Sequence, residues 1–342
     1  MQERQTVYLS DPTASGRRHH MPTKFATLMT LAIAFPASAE YFTIGPVPST
    51  APPGFSQLFT KHIEVMGLHV YASSTTQNSK MLHAANILAQ WVDNDEDCEP
   101  DDPAVSATMQ SLHASMLMWR NENSFENSGA EDIIPDSVWD TTVLQLLFAE
   151  ETNPGYPGNQ EFDWSLEECL HLVTFGGYAI TYPNTWGESH GTAVADAMDI
   201  CISGGWYHYD DPTCDYACKI TEYHYWALTS LLGAQNYPWR IPEIANEWEL
   251  PTAALLQQHN PTMAAMLSDP QWSQASVLPD GTYDPQANEC LGDFDGDGMV
   301  GANDLLAILA AWGSSDADMD LNGDGVVGVT DLLNFLEYWG DC

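Results

Sequence analysis

The C-terminal part of the chain contains an internal repeat, in which residues 292–313 (GDFDGDGMVGANDLLAILAAWG) align with residues 319–340 (MDLNGDGVVGVTDLLNFLEYWG). Each copy begins with acidic residues on alternate positions and continues into an apolar segment. A calcium loop needs this pattern, because the ion takes roughly six to eight oxygen ligands and the loop turns sharply at a glycine in its sixth position. Gly298 and Gly325 stand at that position. The repeat therefore predicts two calcium ions, each held by a loop that leads into an amphipathic helix.

The predicted calcium ligands occupy positions 1, 3, 5, 7 and 12 of each loop, and position 7 contributes a backbone carbonyl. In the first loop they are Asp293, Asp295, Asp297, Met299 and Asp304. In the second loop they are Asp320, Asn322, Asp324, Val326 and Asp331.

Apolar residues of the repeat are expected to join its two copies. Val300 and Val327, at loop position 8, are expected to pack the loops together. The helices are expected to meet through two sets of side chains: Leu305, Leu306, Leu309 and Trp312 against Leu332, Leu333, Leu336 and Trp339.

A calcium loop followed by a helix, occurring twice with a linker between, resembles the type I dockerin module, which docks secreted enzymes onto cohesin domains. The resemblance covers residues 290–342 and implies a small all-α calcium module with a cohesin-like protein partner. Dockerins of cellulose-degrading assemblies usually carry a Ser-Thr pair at loop positions 10 and 11. This chain has Ala302-Asn303 and Val329-Thr330 there. The departure bears on partner specificity rather than on the calcium fold.

Residues 21–39 (MPTKFATLMTLAIAFPASA) have the features of a secretory signal peptide. A basic residue, Lys24, precedes an apolar run, and small residues stand before the expected cleavage site at Glu40. The run is about half the ~20 residues that a membrane span needs. Met21 stands where such a signal would begin, so residues 1–39 are interpreted as a leader outside the fold. The sequence predicts a secreted protein, extracellular or attached to a cell surface, with no membrane span.

The charge balance limits the partners of the chain. Asp and Glu number 48 against 9 Lys and Arg, a formal net charge of −39. Nucleic acids and anionic membranes are excluded as partners by this charge, since both repel an acidic surface. Hydrophobic residues make up 44% of the chain, which is enough for a buried core.

An exported chain with seven cysteines is expected to contain disulfides and one unpaired thiol. Cys290 and Cys342 bracket the C-terminal module and are the predicted pair. Cys214 and Cys218 pair with each other or with Cys201 and Cys98, and Cys169, inside a helical pattern, is expected to be buried and unpaired.

Residues 40–273 are predicted to form a large, mainly α domain with a small sheet, followed by a turn-rich linker at 274–289. The clearest strand signal is LHVYASS at 68–74. Helical periodicity is found at 79–92, 103–119, 136–150, 165–175, 191–203, 219–233 and 252–266.

The acidic segment DNDEDCEPDD at 93–102 offers two interpretations. Asp93, Asp95 and Asp97 stand on alternate residues, as calcium ligands do, but Cys98 takes the place of the loop glycine. The segment is either a calcium site or a solvated acidic helix end.

The segment EECLHLVTFGGY at 167–178 resembles the zincin helix HExxHxxT…GY, with Glu167 in the place of the first histidine. Residues four apart lie on one helical face, so Glu167 and His171 are placed to chelate one metal ion, with zinc as the implied cofactor. Glu168 is then the implied general base toward the attacking water. Gluzincins take a third ligand from a later helix, which favours Glu222.

Other interpretations of this segment stay open. His224 and Glu188 compete with Glu222 as the third ligand. The chain is either an active metallohydrolase of peptidase type or a catalytically inactive relative. Alternatively, Glu167 and Glu168 form a solvated helix start and His171 is an ordinary core histidine.

Two further functions rest on weaker patterns. The pentapeptide GESHG at 187–191 has the form G-x-S-x-G, but the nucleophile elbow of a serine hydrolase follows a buried strand, and Pro183 breaks any strand here. Ser189 would be its nucleophile, with His208, His224 or His259 as base.

Aromatic residues that would form a sugar-stacking platform for a carbohydrate-active enzyme are Trp164, Trp186, Trp206, Tyr207, Tyr209 and Trp226. Besides a metallohydrolase and a carbohydrate-active enzyme, the third class of function that stays open is a non-catalytic extracellular assembly protein.

Overall fold

The computed structural model describes residues 41–209, 212–285, 292–295, 299–316, 319–322 and 325–341. The described residues form two compact units. The large unit contains the residues up to Tyr283 except 95–98, and the second unit contains 95–98 with the residues from Asp284 onward. The predicted leader at 1–39, Cys290, Asp297, Asp324 and Cys342 lie outside the described residues.

The large unit is mainly helical, as predicted. Its α-helices are α1 (Phe55–Leu58), α2 (Asn78–Val92), α3 (Pro103–Ser111), α4 (Glu122–Glu126), α5 (Ala130–Ile133), α6 (Asp136–Trp139), α7 (Ser165–Val173), α8 (Ala179–Thr181), α9 (Ala193–Gly204), α10 (Tyr216–Leu231), α11 (Ile241–Ile244), α12 (Ala253–His259) and α13 (Pro261–Leu267). A π-helical turn, Thr174–Tyr178, joins α7 to α8, and a 3-10 turn, Pro270–Trp272, follows α13. None of the helices in the described ranges is both long enough and apolar enough to cross a membrane.

Side-chain caps and prolines explain where several of these helices begin. The Asp102 carboxylate accepts hydrogen bonds from Ala104 N (2.9 Å) and Val105 N (3.0 Å), and Pro103 occupies the first turn of α3. Asn260 ends α12 and caps α13, with Pro261 next in the chain. Proline fits the first turn because its missing N–H would have no partner there. The single helix predicted over 252–266 is therefore two.

A four-stranded mixed sheet lies in the large unit. The strands are β1 (Lys61–Val65), β2 (Leu68–Ala72), β3 (Ser115–Trp119) and β4 (Leu144–Phe148), in the order β1-β2-β3-β4. The β1–β2 pair is antiparallel, and the other two pairs are parallel. Met66 and Gly67 connect β1 to β2 with positive φ angles of 49° and 78°, the backbone conformation that a tight two-residue hairpin needs.

The helices predicted over 103–119 and 136–150 are wrong in their second halves, which form β3 and β4. All five residues of each strand are buried. Parallel strands that are buried on both faces read as continuous apolar runs, and periodicity alone does not distinguish such runs from buried helix.

The sheet separates two apolar clusters. Ile63, Val70 and Met116 belong to the larger one, which also contains residues of α2, α7 and α10. Tyr71 and Leu117 project into the smaller one, because successive strand residues point to opposite faces. Helix α7, which carries the EExxH segment, packs against α2 and against strands β3 and β4.

Residues 274–283, predicted as part of the linker, belong to the large unit. Asn86 Nδ2 donates to Gly281 O (2.8 Å), and Gly281 N donates to Gln90 Oε1 (2.8 Å). Asn94 Nδ2 donates to Val277 O (2.8 Å). The turn residues of this segment correctly indicated a loop. Its hydrogen bonds to α2 join residues far apart in the chain, so no local sequence pattern predicts them.

The second unit contains α14 (Ala302–Ala310), α15 (Val329–Glu337) and a short antiparallel ladder between β5 (Met299–Val300) and β6 (Gly340–Asp341). Its core consists of Val300, Ile308, Val327 and Phe335. Both loop valines are buried there, as expected.

The predicted contact between the helices is wrong in most of its residues. Ile308 and Phe335 take the core positions, with Leu305 and Leu332 packed beside them. The next stripe around each helix faces solvent instead: Leu306, Leu309 and Trp312 in the first copy, and Leu333, Leu336 and Trp339 in the second. Both helices carry more apolar residues than one buried face can hold, so the sequence alone did not show which stripe is inside.

Candidate metal centre

The start of α7 is fixed by a buried carboxylate. Asp163 Oδ1 accepts hydrogen bonds from the Ser165 hydroxyl (2.6 Å) and from Asn153 N (2.8 Å), and Asp163 Oδ2 lies 2.6 Å from His83 Nε2. Burial acts to raise the pKa of Asp163, but the bonds from His83, Ser165 and Asn153 outweigh it and hold the pKa below the ordinary value. The first turn of α7 is thereby held against α2, which carries His83.

Helix α10, which carries Glu222, also has a defined start. Asp215 caps it by accepting a hydrogen bond from Cys218 N (3.0 Å). A disulfide between Cys214 and Cys218 closes the same turn. Of the alternatives that the sequence left open, the structure contains the local pair. Cys169 is a buried thiol, as expected, and Cys201 is also buried.

The structure brings Glu167, His171 and Glu222 together. His171 Nε2 lies 3.6 Å from Glu167 Oε1 on the same helix and 3.4 Å from Glu222 Oε1 on α10. One ligand atom from each residue lies within 4.8 Å of the others. All three side chains are at least 95% buried. The interpretation of Glu167 and Glu168 as a solvated helix start is wrong, because both are 4% exposed.

Several polar atoms of this cluster have no hydrogen-bond partner within the described residues: Glu167 Oε2, His171 Nδ1 and His171 Nε2. A buried polar atom without a partner costs about 1–3 kcal/mol. Carboxylate oxygens and imidazole nitrogens are the donors that zinc accepts in proteins. The donor set and its unpaired atoms therefore fit a metal ion held by these three side chains.

The pKa shifts of His171 and Glu222 refer to the cluster without a bound ion. Burial acts to lower the pKa of His171, but the charges of Glu222 and Glu167 outweigh it and raise that pKa well above its ordinary value. Burial also raises the pKa of Glu222, although His171 opposes the change. Two buried carboxylates thus need a positive charge between them. A proton on His171 supplies it in the metal-free form, and a bound cation would replace that proton.

Glu168 lies beside the cluster and is held by the sheet. Its carboxylate accepts a hydrogen bond from Gln145 Nε2 on β4. Both side chains are buried. The residue that sequence reasoning assigned as general base thus has an orienting partner on the strand that packs against α7.

Further residues around the cluster were not found from the sequence. The ring of Tyr225 lies 5.7 Å from that of His171, edge to face. Gln235 Nε2 donates to the Tyr225 hydroxyl (3.1 Å), and Arg240 Nε donates to Gln235 Oε1 (3.0 Å). The Arg240 guanidinium is buried 4.0 Å from the centre of the Phe162 ring. The sequence did contain one signal for this group, a lone arginine among aromatic residues. A buried guanidinium needs such aromatic partners.

The competing third ligands have other partners. His224 Nε2 lies 3.2 Å from Gln274 Oε1, and its ring stacks on Trp186 at 4.7 Å. Burial lowers the pKa of His224 to about 4. The Glu188 carboxylate accepts a hydrogen bond from the Thr221 hydroxyl. Of the three candidates, Glu222 is the one beside His171.

The other predicted sites in the large unit are placed differently. Ser189 is exposed in a turn, and the described element before it is α8, so the strand that a nucleophile elbow requires is missing there. Trp186, Tyr207 and Trp226 are buried and belong to the core rather than to a surface platform.

In the acidic segment at 93–102, Asp93 is fully buried and accepts a hydrogen bond from the Tyr283 hydroxyl. Asp101 accepts one from Asn94 N (2.9 Å). Asp95 and Asp97 group with the second unit. Calcium binding by Asp93, Asp95 and Asp97 stays a prediction.

The predicted calcium loops are compact where the structure describes them. Carboxylate oxygens of Asp293, Asp295 and Asp304 lie within 4.8 Å of one another. Asp304 is buried and accepts hydrogen bonds from Phe294 N (2.8 Å) and Gly301 N (2.8 Å). Burial acts to raise the pKa of Asp304, but these backbone donors outweigh it and lower that pKa.

The second loop repeats this arrangement. Asp331 is buried and accepts hydrogen bonds from Asn322 N (3.0 Å) and Gly328 N (2.7 Å). Asp320 Oδ2 accepts one from Gly325 N (2.6 Å). In both copies the residue at loop position 12 ties the loop to the first turn of the following helix.

Comparison of the chain with protein-family models, with curated proteins and with solved structures gives no match.

Proposed function

We propose that this chain is an exported protein with two working parts: a metal-dependent hydrolase of zincin type in the large unit and a calcium-dependent docking module in the second. The observation that carries the first part is the convergence of Glu167, His171 and Glu222. They come from two helices, all are buried, and three of their polar atoms lack a hydrogen-bond partner in the described structure. A core built only for packing gains nothing from such a group.

A zinc ion bound there would act as a Lewis acid toward an oxygen atom of water or substrate. The protein contributes two carboxylates and one imidazole to hold the ion, and Glu168 to take up a proton. Gln145 orients the Glu168 carboxylate from β4. Because the side chains of the cluster are at least 95% buried, hydrolysis also requires an opening of the structure that admits substrate.

Metal analysis of residues 40–342 purified without chelator tests the metal centre. We expect zinc besides calcium, and one equivalent less of it in His171→Ala and in Glu222→Ala. Glu188→Gln is the matched control, because Glu188 is a nearby carboxylate bonded to Thr221 and should keep the zinc. Calcium as the only metal in the unsubstituted protein would contradict the proposal.

Glu168→Gln separates catalysis from metal binding. The amide keeps the shape of the side chain but cannot accept a proton. We expect hydrolysis of peptide or ester substrates to be abolished while zinc remains bound. Zinc bound without any hydrolysis in the unsubstituted protein would favour the inactive relative. Binding to insoluble polysaccharide without zinc would favour the carbohydrate-active alternative.

The docking function rests on the exposed apolar stripe of the second unit. Leu306 is 67% exposed and Leu333, its counterpart in the repeat, is 57% exposed. Leu309 and Trp312 match Leu336 and Trp339 in the same way, all between 45% and 49% exposed. Exposed apolar patches of this kind mark protein interaction sites. The dockerin resemblance implies a cohesin-like domain as the proposed partner.

A further inference from the structure

A pair of histidines lies on the β1–β2 hairpin, and the proposed function does not use it. His62 Nε2 is 3.1 Å from His69 Nδ1. Their ring centres are 5.2 Å apart, with an angle of 43° between the planes. Glu64 stands directly opposite His69 in the register, and His62 stands opposite Tyr71. Directly paired residues of an antiparallel sheet share a face, so the two histidines and Glu64 lie together.

The backbone around this pair is well fixed. The tight turn at Met66–Gly67 sets the register of the hairpin. His62 N donates to Gly45 O, and Gly45 N donates to His62 O, both at 2.9 Å. The ring of Tyr71 lies 4.8 Å from that of His62. The backbone of the two histidines is therefore fixed by β2 on one side of β1 and by the Gly45–His62 bridge on the other.

Both imidazoles are partly buried, and their facing nitrogens lie within hydrogen-bond distance of each other. Imidazole nitrogens are common ligands of zinc and related transition metals in proteins.

We propose that His62, His69 and Glu64 bind a divalent transition-metal ion of the zinc class, at a site separate from Glu167, His171 and Glu222. Two imidazole nitrogens bound to one tetrahedral zinc at about 2.0–2.1 Å lie roughly 3.3 Å apart, close to the separation already present. Both histidines are partly exposed, and Glu64, the third proposed ligand, is exposed on the same face of the hairpin. Water or the exposed His113 completes the four ligands.

Zinc titration of the His171→Ala protein in saturating calcium tests this site. That background removes the other proposed centre, so the result does not depend on the proposed function. We expect one zinc equivalent in His171→Ala and at least a hundredfold weaker binding when His69→Ala or His62→Gln is added. His208→Ala is the control, because His208 also lies near a carboxylate, 3.5 Å from Glu249, but is half exposed and forms no ring contact with another histidine among the described residues.

Copper(II) as a second probe reports the ligand atoms directly. In the same background we expect an electron paramagnetic resonance spectrum with two nitrogen ligands, reduced to one in His69→Ala, with circular dichroism confirming that the variant is folded. Unchanged zinc binding in the His69→Ala and His62→Gln proteins, or no zinc bound in the His171→Ala parent, would overturn the proposal. Equal loss in His208→Ala would overturn it too.

Discussion

In the second unit the candidate ligands of each ion come from a loop of about 12 consecutive residues, whereas in the large unit they come from α7 and α10. The two regions also differ in what supports them. Among the residues that the structure describes, four buried side chains form the core of the second unit, while the triad of Glu167, His171 and Glu222 lies inside a core of more than ten times that number. If both sites bind metal as proposed, calcium would support the fold of the second unit, whose core is small, and the large core of the other unit would support its metal site.

The largest expected effect is the loss of the second unit when calcium is removed. Its four-residue core is too small to hold two helices without a metal or disulfide. We expect chelator to abolish the helicity of α14 and α15 and to leave the large unit folded. Asp304→Ala should produce the same change at ordinary calcium.

Far-UV circular dichroism of residues 40–342, recorded with and without chelator, measures this difference. Asp316→Ala is the matched control, since it removes an exposed carboxylate between the two loops and should keep the calcium-dependent signal. A helical signal that survives both chelation and Asp304→Ala would show that the second unit folds without calcium, as the large unit does.

The second effect tests which stripe of the repeat is inside. Phe335 is fully buried and Leu336 is 47% exposed. In the calcium-loaded protein we expect Phe335→Ala to lower the free energy of unfolding of the second unit by about 3–5 kcal/mol, as large truncations in a core do. Leu336→Ala should change it by less than about 0.5 kcal/mol.

Partner binding should show the opposite order. Leu336→Ala is expected to weaken docking while leaving stability unchanged, because it removes part of the exposed stripe. Urea unfolding followed by tryptophan fluorescence measures stability, and capture by a cohesin domain measures docking. Equal destabilisation by the two substitutions would show that both stripes are buried.

Some of these residues could be predicted from the sequence and others could not. Calcium loops are local patterns, so Asp293, Asp295 and Asp304 were identified from spacing alone, and the structure gathers them. Glu167 and His171 were predicted as ligands from a resemblance to the zincin helix together with their helical spacing, and Glu222 from the same resemblance. Gln145, Tyr225 and Arg240 lie on other elements and have no shared pattern, so only the fold brings them to the site. Strands β3 and β4 were missed because complete burial removes the alternation that identifies strands.

The third effect concerns the metal centre of the large unit. Zinc at about a hundred times its dissociation constant should raise the free energy of unfolding of this unit by roughly 2.7 kcal/mol. With His69→Ala present to remove the site proposed on the β1–β2 hairpin, His171→Ala should remove that increase and leave the metal-free protein folded, because the surrounding core persists without the ion. Thermal unfolding at several zinc concentrations measures the increase. The same zinc response with and without His171→Ala in the His69→Ala protein would place the ion elsewhere.

A smaller effect concerns the support of α7. The pKa of Asp163 is lower in the folded state than its ordinary value, so the stability it contributes is present above that value and is lost as pH falls through the folded pKa. Asp163→Asn should remove this part of the acid dependence and lower stability near neutral pH by about 1–3 kcal/mol, since His83 loses its charged partner. Urea unfolding between about pH 2 and 7 measures both changes, and an unchanged dependence of stability on pH at the acid end of this range would contradict the role assigned to Asp163.

The smallest effect is expected at the start of α10. It tests whether the cap of this helix contributes to zinc binding by Glu222 or only to the stability of the large unit. Asp215 accepts a hydrogen bond from Cys218 N one turn before Glu222, and loss of such a cap costs about 1 kcal/mol. Asp215→Ala should therefore lower the stability of the large unit slightly, while the Cys214–Cys218 disulfide keeps the turn closed. Since Glu222 is a full turn further along the helix, zinc affinity should fall by less than about tenfold. A loss as large as in Glu222→Ala would show that the triad depends on this cap, and that the metal centre of the large unit is as locally built as the calcium loops.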